Sequence, residues 1–187
     1  MFRFIPAAAL VAVVAMAPMA IATPLPPGAS GLPATPIVMA DVGAQLDVIP
    51  TQTLTTSLFI LSFDTAVFDA ISSGLYFFYE FGSDALSTTS IRSVSMVNFQ
   101  GFTTHVYDDA TKGTRQSNGV SRDATGIAVT WDHTLNPVGP AQESFGMWIH
   151  VPDAFGWERG GQTTFQDGLV ALGDSFDPTG PQDEIPE

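Results

Sequence analysis

The segment Gly74-Leu75-Tyr76-Phe77-Phe78-Tyr79-Glu80-Phe81 constrains the fold of this chain more than any other. Its odd positions, Leu75, Phe77, Tyr79 and Phe81, are all apolar or aromatic, and its even positions end in the charged Glu80. Side chains along a strand point alternately to opposite sides, so this pattern predicts a strand with one deeply buried face. A strand of that kind is stable only when a second layer covers it.

Other segments repeat the signal. Thr53 to Leu61 is dense in β-branched and aromatic residues and reads as a strand. Ile91 to Phe99 sets Val94, Met96 and Asn98 against Ser93, Ser95 and Val97. Phe102 to Tyr107 continues after Gly101, which marks a bulge or tight corner. Ile127, Val129 and Trp131 share one parity, Phe145 to Val151 makes a further strand and Gly168 to Leu172 a short last one. Turn clusters separate them at Gly82-Ser83-Asp84, Asp108-Asp109, Ser117-Asn118-Gly119, Asp123 to Gly126, Asn136 to Pro140 and Gly160-Gly161. Thr65 to Ser72, with Val67, Phe68 and Ile71 at three-to-four spacing, fits a helix or a loop. The expected fold is all-β: a single antiparallel β-sandwich, immunoglobulin-like or jelly-roll-like, in which the odd face of Leu75 to Phe81 stacks over Ile127, Val129 and Trp131.

The ends of the chain read differently. Arg3, an apolar run from Leu10 to Ala17, Pro18 and the small-x-small pattern Ala20-Ile21-Ala22 describe a cleavable signal peptide over residues 1–22, hence a secreted or cell-surface protein. Pro6 and Pro18 leave an apolar core shorter than the ~20 residues a spanning helix needs, which argues against an uncleaved anchor, and no membrane span is expected in the mature form of these 187 residues. Residues 23–36 hold five prolines and read as an extended, mobile leader; residues 174–187 read as a loose acidic tail. The sandwich is then expected over residues 37–173.

Removing 22 of the 187 residues leaves 165, enough for one domain with a real core. Without Arg3, five basic side chains face nineteen acidic ones, a net charge of −14 that repels nucleic acid and anionic lipid. The absence of cysteine removes disulfides, thiolate nucleophiles and thiolate metal sites together.

The middle of the chain resembles a known group. The aromatic strand from Gly74 to Phe81, then Ile91-Arg92-Ser93-Val94, then Phe99-Gln100-Gly101-Phe102-Thr103-Thr104, is similar to exported bacterial proteins of the PEP-CTERM class over about Leu54 to Val151. That resemblance implies a cell-envelope or exopolysaccharide-associated surface protein with no assigned chemistry, whose partners are extracellular polysaccharide or other envelope proteins. Ile185-Pro186-Glu187 resembles the first residues of the sorting motif of that class, with the membrane helix and basic cluster that would follow it not in this sequence.

Chemistry-bearing residues are sparse. His105, His133 and His150 lack metal-ligand spacing. Gly28-Ala29-Ser30-Gly31 lacks the spacing of a nucleophile elbow. Calcium is the ion that fits best, through Asp108, Asp109 and Asp123; no other cofactor is expected. Trp157, Trp148, Tyr107 and Tyr76 are candidates for an aromatic platform under a sugar ring, with Trp157 the one expected to be exposed. Glu80, Glu143 and Glu158 are the carboxylates from which a glycosidase pair would be drawn. The leading expectation is a non-catalytic exported envelope or extracellular-matrix protein; the alternatives are a carbohydrate-binding β-sandwich module and a glycan hydrolase.

Overall fold

A computed structural model of the chain describes residues 22–37 and 39–180. The signal segment before Ala22 and the Ile185-Pro186-Glu187 motif lie outside the described residues. Twelve strands run in chain order: β1 (Thr23–Pro24), β2 (Thr35–Pro36), β3 (Val42–Thr55), β4 (Ile60–Ala70), β5 (Leu75–Ser83), β6 (Ser93–Met96), β7 (His105–Asp109), β8 (Gly119–Arg122), β9 (Val129–Asp132), β10 (Gly146–Val151), β11 (Gly156–Gln166) and β12 (Val170–Thr179). A three-residue 3-10 turn, Met39–Asp41, precedes β3. No helix among the described residues is long and apolar enough to cross a membrane.

The strands form an all-β sandwich of two packed sheets. Sheet I has the order β1-β7-β10-β5-β4-β3, with β2 also on β7; sheet II has the order β12-β11-β6-β9-β8. Pairing is antiparallel throughout except between β2 and β7. Leu75, Phe77, Tyr79 and Phe81 enter the main core as their parity requires, beneath Val94, Met96, Val129, Trp131 and Phe165 of sheet II. Aromatic edges close the interface: Phe63 and Phe81 meet Phe165 with ring centroids 4.9 and 5.3 Å apart, and Phe77 meets Phe99 at 5.9 Å. Ile127 departs from the expected face; it precedes β9 and is exposed.

Several local expectations are corrected. Thr53 to Leu61 is not one strand but the hairpin between β3 and β4. The Thr56 hydroxyl accepts hydrogen bonds from the Leu58 and Phe59 amides at 3.1 and 3.0 Å and turns the chain inside the β-branched run. Thr65 to Ser72 is neither helix nor free loop, because β4 runs to Ala70 with Val67 on the core side and Phe68 on the other. Gly160-Gly161 is not a turn: the pairing shifts between Glu158↔Asp177 and Gly161↔Ser175, a bulge inside the long strand β11. Glycine is required there, since a Cβ on Gly161 would come within 2.5 Å of Asp177 Oδ1 and 2.7 Å of the Phe176 carbonyl oxygen. The Gly101 corner is a turn with Phe102 N donating to Phe99 O and Gly101 at φ +84°.

Both ends of the expected domain also move. Residues 23–36 are held, not mobile: β1 and β2 form the edge of sheet I, where proline costs no ladder bond, and Leu25 is fully buried. Leu32 exchanges backbone bonds with Val120 at 3.0 and 2.7 Å, so this segment crosses from sheet I to the β8 edge of sheet II. Prolines remove donors but keep carbonyls, and Leu25, Pro26, Ala29 and Leu32 all accept through theirs. At the other end β12 continues to Thr179, with Ser175, Phe176 and Asp177 buried, so residue 174 lies within a strand.

The opposite side of the sandwich is closed by side chains. Gln52 of β3 donates from Nε2 to the Asp174 carbonyl (2.7 Å) and accepts from the Asp174 amide at Oε1 (2.8 Å), capping the free edge of β12.

Candidate functional site

β5 and β10 are buried on both faces, and their second face builds the site. Register fixes which residues meet. Ala66 pairs with Phe78, Phe78 with Trp148 and Trp148 with Tyr107, a row across the outer face of sheet I. The next row carries Phe68, Tyr76, His150 and His105. Ala66, Ala70, Tyr76, Phe78, Tyr107 and Trp148 form a second apolar cluster on this face, flanked by Ala22, Ile37, Val42 and Phe68. Trp148 is its centre, with ring centroids 4.7 Å from Phe78, 5.1 Å from Phe68 and 6.1 Å from Tyr76.

A cleft of about 300 Å³ opens beside Trp148, between a rim made by Met39 of the 3-10 turn with Gln45 and Val48 of β3 and the end of β7 that carries Asp109 with Lys112 just beyond it. Asp64, Thr65, Ala66, Phe68 and Phe78 complete its lining. Its size is at the small end of ligand sites, which combine an apolar floor with a few polar groups. Asp64 pairs with Glu80 two positions along from Ala66↔Phe78, and Asp109 lies two positions beyond Tyr107, so a carboxylate row borders the aromatic one. Half-burial raises the Glu80 pKa; nearby Glu143, Asp64 and Asp109 push the same way, and Lys112 opposes them. The Trp148 indole N–H is buried without an acceptor among the described residues.

The far end of this face is already committed. Tyr76 Oη donates to Asp41 Oδ2 at 2.8 Å, and Asp41 also accepts from the Ser72 amide and hydroxyl. His150 stacks on Tyr76 at 4.4 Å and is bonded through Nε2 to the Ser73 carbonyl. His105 lies 5.8 Å from His150, and its pKa is lowered by burial and then by that neighbour. His133 is remote from both, buried edge-on to Phe81 with a pKa lowered by burial to about 4.

Of the aromatic residues singled out from the sequence, the structure brings Trp148, Tyr107 and Tyr76 together and leaves Trp157 elsewhere. Trp157 is half-buried against the main core and donates from Nε1 to Asp47 at 3.3 Å, so it is not the exposed platform expected of it. Asp108, Asp109 and Asp123 do not converge. Asp108 points into the core, where it accepts from Trp131 Nε1 (3.4 Å) and Gln116 Nε2 (3.3 Å), and burial raises its pKa to about 6. Asp109 faces the cleft and accepts from Thr111. Asp123 holds its own turn through Thr125 and the Ala128 amide, contacts that lower its pKa. The calcium set is corrected accordingly: among the described residues no three His, Cys, Asp or Glu side chains are grouped to hold a metal ion.

Phe68, Phe78, Asp64 and Lys112 belong to the cleft and were not singled out from the sequence. The signal for Phe78 was present, because Tyr76 and Phe78 are aromatic at even positions of a strand whose odd positions are also aromatic, which marks burial on both faces. Comparison with family models, with curated proteins and with solved structures returns no match to this chain.

Proposed function

We propose that this chain is an exported, non-catalytic surface protein that binds glycan on the outer face of sheet I. One observation carries the reading: the Phe68, Phe78 and Trp148 rings and the Asp64 and Asp109 carboxylates line one cleft. Sugar rings present an apolar C–H face that stacks on aromatic rings and hydroxyls that bond to adjacent carboxylates. The signal-peptide pattern and the similarity to the PEP-CTERM class support the exported, envelope-associated part of the reading, with extracellular polysaccharide as the partner.

Calorimetry of the protein against neutral and charged oligosaccharides tests it. Binding that weakens about tenfold or more in Phe68→Ala is the expected result, since stacking on one ring contributes roughly 0.5–1.5 kcal/mol beyond the area it covers. Unchanged binding in that variant removes the cleft from the reading.

A second reading is glycan hydrolysis by Glu80 with Glu143. It is favoured by the raised Glu80 pKa and by Glu143 being among the charges that raise it. Oligosaccharide turnover abolished in Glu80→Gln with binding retained selects this alternative.

A further inference from the structure

Charge around the cleft narrows the sugars that fit it. Asp64 accepts from Thr51 through Oδ1, Asp109 accepts from Thr111 through Oδ1, and Glu80 accepts no hydrogen bond among the described residues. Oxygens on all three carboxylates therefore remain without a protein donor. Lys112, the single lysine of the chain, is the cation at the cleft. The arginines among the described residues are engaged elsewhere: Arg92 with Asp167, Arg159 with Asp47, Arg115 with Gln142 and Asn136, and Arg122 with backbone carbonyls. Asp64 and Asp109 in the lining against the Lys112 ammonium, with Glu80 paired beside Asp64, leave the cleft negative.

Trp148, 3% exposed, forms an apolar wall of the same cleft. A fitting ligand therefore carries a positive charge for the carboxylates and a flat apolar face for Phe68 and Phe78. Glycan binding at this cleft being the premise, we infer that it takes an amino-sugar chain whose free, protonated amines lie along the acidic border formed by Asp64, with Glu80 beside it, and by Asp109, while a ring stacks on the aromatic row. Cation–π attraction to the aromatic rings acts in the same direction. A uronic acid would place like charges together, and N-acetylation would remove the charge that selects the ligand.

The test is calorimetry of the full chain with four hexamers: glucosamine, N-acetylglucosamine, glucose and a uronic acid. Glucosamine hexamer is expected to bind about tenfold or more tightly than the other three, with a preference that shrinks as salt rises. Glu80→Gln and Asp64→Asn are expected to reduce that preference, and Lys112→Met to widen it by strengthening glucosamine binding more than glucose binding. Equal or tighter binding of glucose or N-acetylglucosamine overturns the amino-sugar inference and leaves the glycan reading standing. Binding of no hexamer by the folded protein overturns both.

Discussion

Removing the Arg122 guanidinium should loosen the proline-rich segment where it meets the sandwich. Arg122 is 3% exposed and makes no salt bridge among the described residues; its donors go to oxygens instead. Nε and Nη2 donate to Gly126 O at 3.1 and 3.0 Å, Nη1 to Leu25 O and Thr104 Oγ1 at 3.2 and 3.1 Å, and Nη2 to Phe99 O and Phe102 O at 2.5 and 2.9 Å. One side chain thus ties Leu25 to the Gly101 corner and to the turn before β9. In Arg122→Met the Leu25 carbonyl keeps the Thr104 hydroxyl and the Phe99 carbonyl keeps the Phe102 amide, so Gly126 O and Phe102 O are the two left bare. At roughly 1–3 kcal/mol for each unsatisfied buried group, less the relief of no longer burying a cation, the expected loss is about 3 kcal/mol. Urea unfolding should show a lower midpoint at an unchanged slope, and hydrogen exchange should accelerate at the Leu25 and Leu32 amides before the core strands. A loss under about 1 kcal/mol, or exchange at Leu25 no faster than in the parent, refutes the assignment of Arg122 as the tie.

Phe77→Ala, which empties a fully buried site edge-on to Phe99, should cost about 3–5 kcal/mol in reversible unfolding. Gly161→Ala should destabilise by about 2 kcal/mol or more because its Cβ meets backbone and Asp177, whereas Gly101→Ala, with open space but positive φ, should cost about 1 kcal/mol; a matched pair of unfolding curves checks the order. Asp108, its pKa raised to about 6, binds a proton in the folded state that the unfolded chain releases near pH 4, so its contribution to stability falls as pH rises from about 4 to 6. His133, lowered to about 4, acts with the opposite sign: the unfolded chain holds its proton up to about 6.5, and stability rises over that interval. The Asp108→Asn variant should therefore gain stability more steeply than the parent between pH 4 and 6, by on the order of 2 kcal/mol across the window, and a parallel pair of stability–pH curves would exclude the buried Asp108.

What the sequence made legible follows from what alternation can and cannot say. A period of two reports a face, and β5, β6 and β9 obey it because one of their faces meets the main core. Where the decisive contact is long-range, local pattern misleads. Gly160-Gly161 has the composition of a turn, yet the reason for glycine is Asp177 on the neighbouring strand pressing against the backbone. The five prolines of residues 23–36 forbid regular ladders, but nothing local announces that Leu25 will be buried or that Arg122, some hundred residues later, will collect its carbonyl. The β12 boundary failed for the same reason: Phe176 supplies the apolar anchor, and the acidic residues around it are tolerated because Asp177 takes a hydrogen bond from Asn98 and Asp174 is held by Gln52.

The cleft was half legible. Trp148 and Tyr107 could be chosen from the sequence because aromatic residues in exposed or semi-exposed strands are the usual sugar platforms, but Trp157 was preferred on its flanking glycine and glutamate, which report flexibility and not direction. Asp47, 110 residues earlier in the chain, binds its indole N–H and closes that option. Asp108 and Asp109 show the limit most sharply. Adjacent residues on one strand must face opposite ways, so they could never share a calcium ion through their side chains once His105–Asp109 is a strand. Reading them as a turn made them a pair; folding them as a strand sends Asp108 to Trp131 and leaves Asp109 at the cleft with Lys112. The same alternation that excludes a shared metal site thereby supplies the cleft with one of its carboxylates.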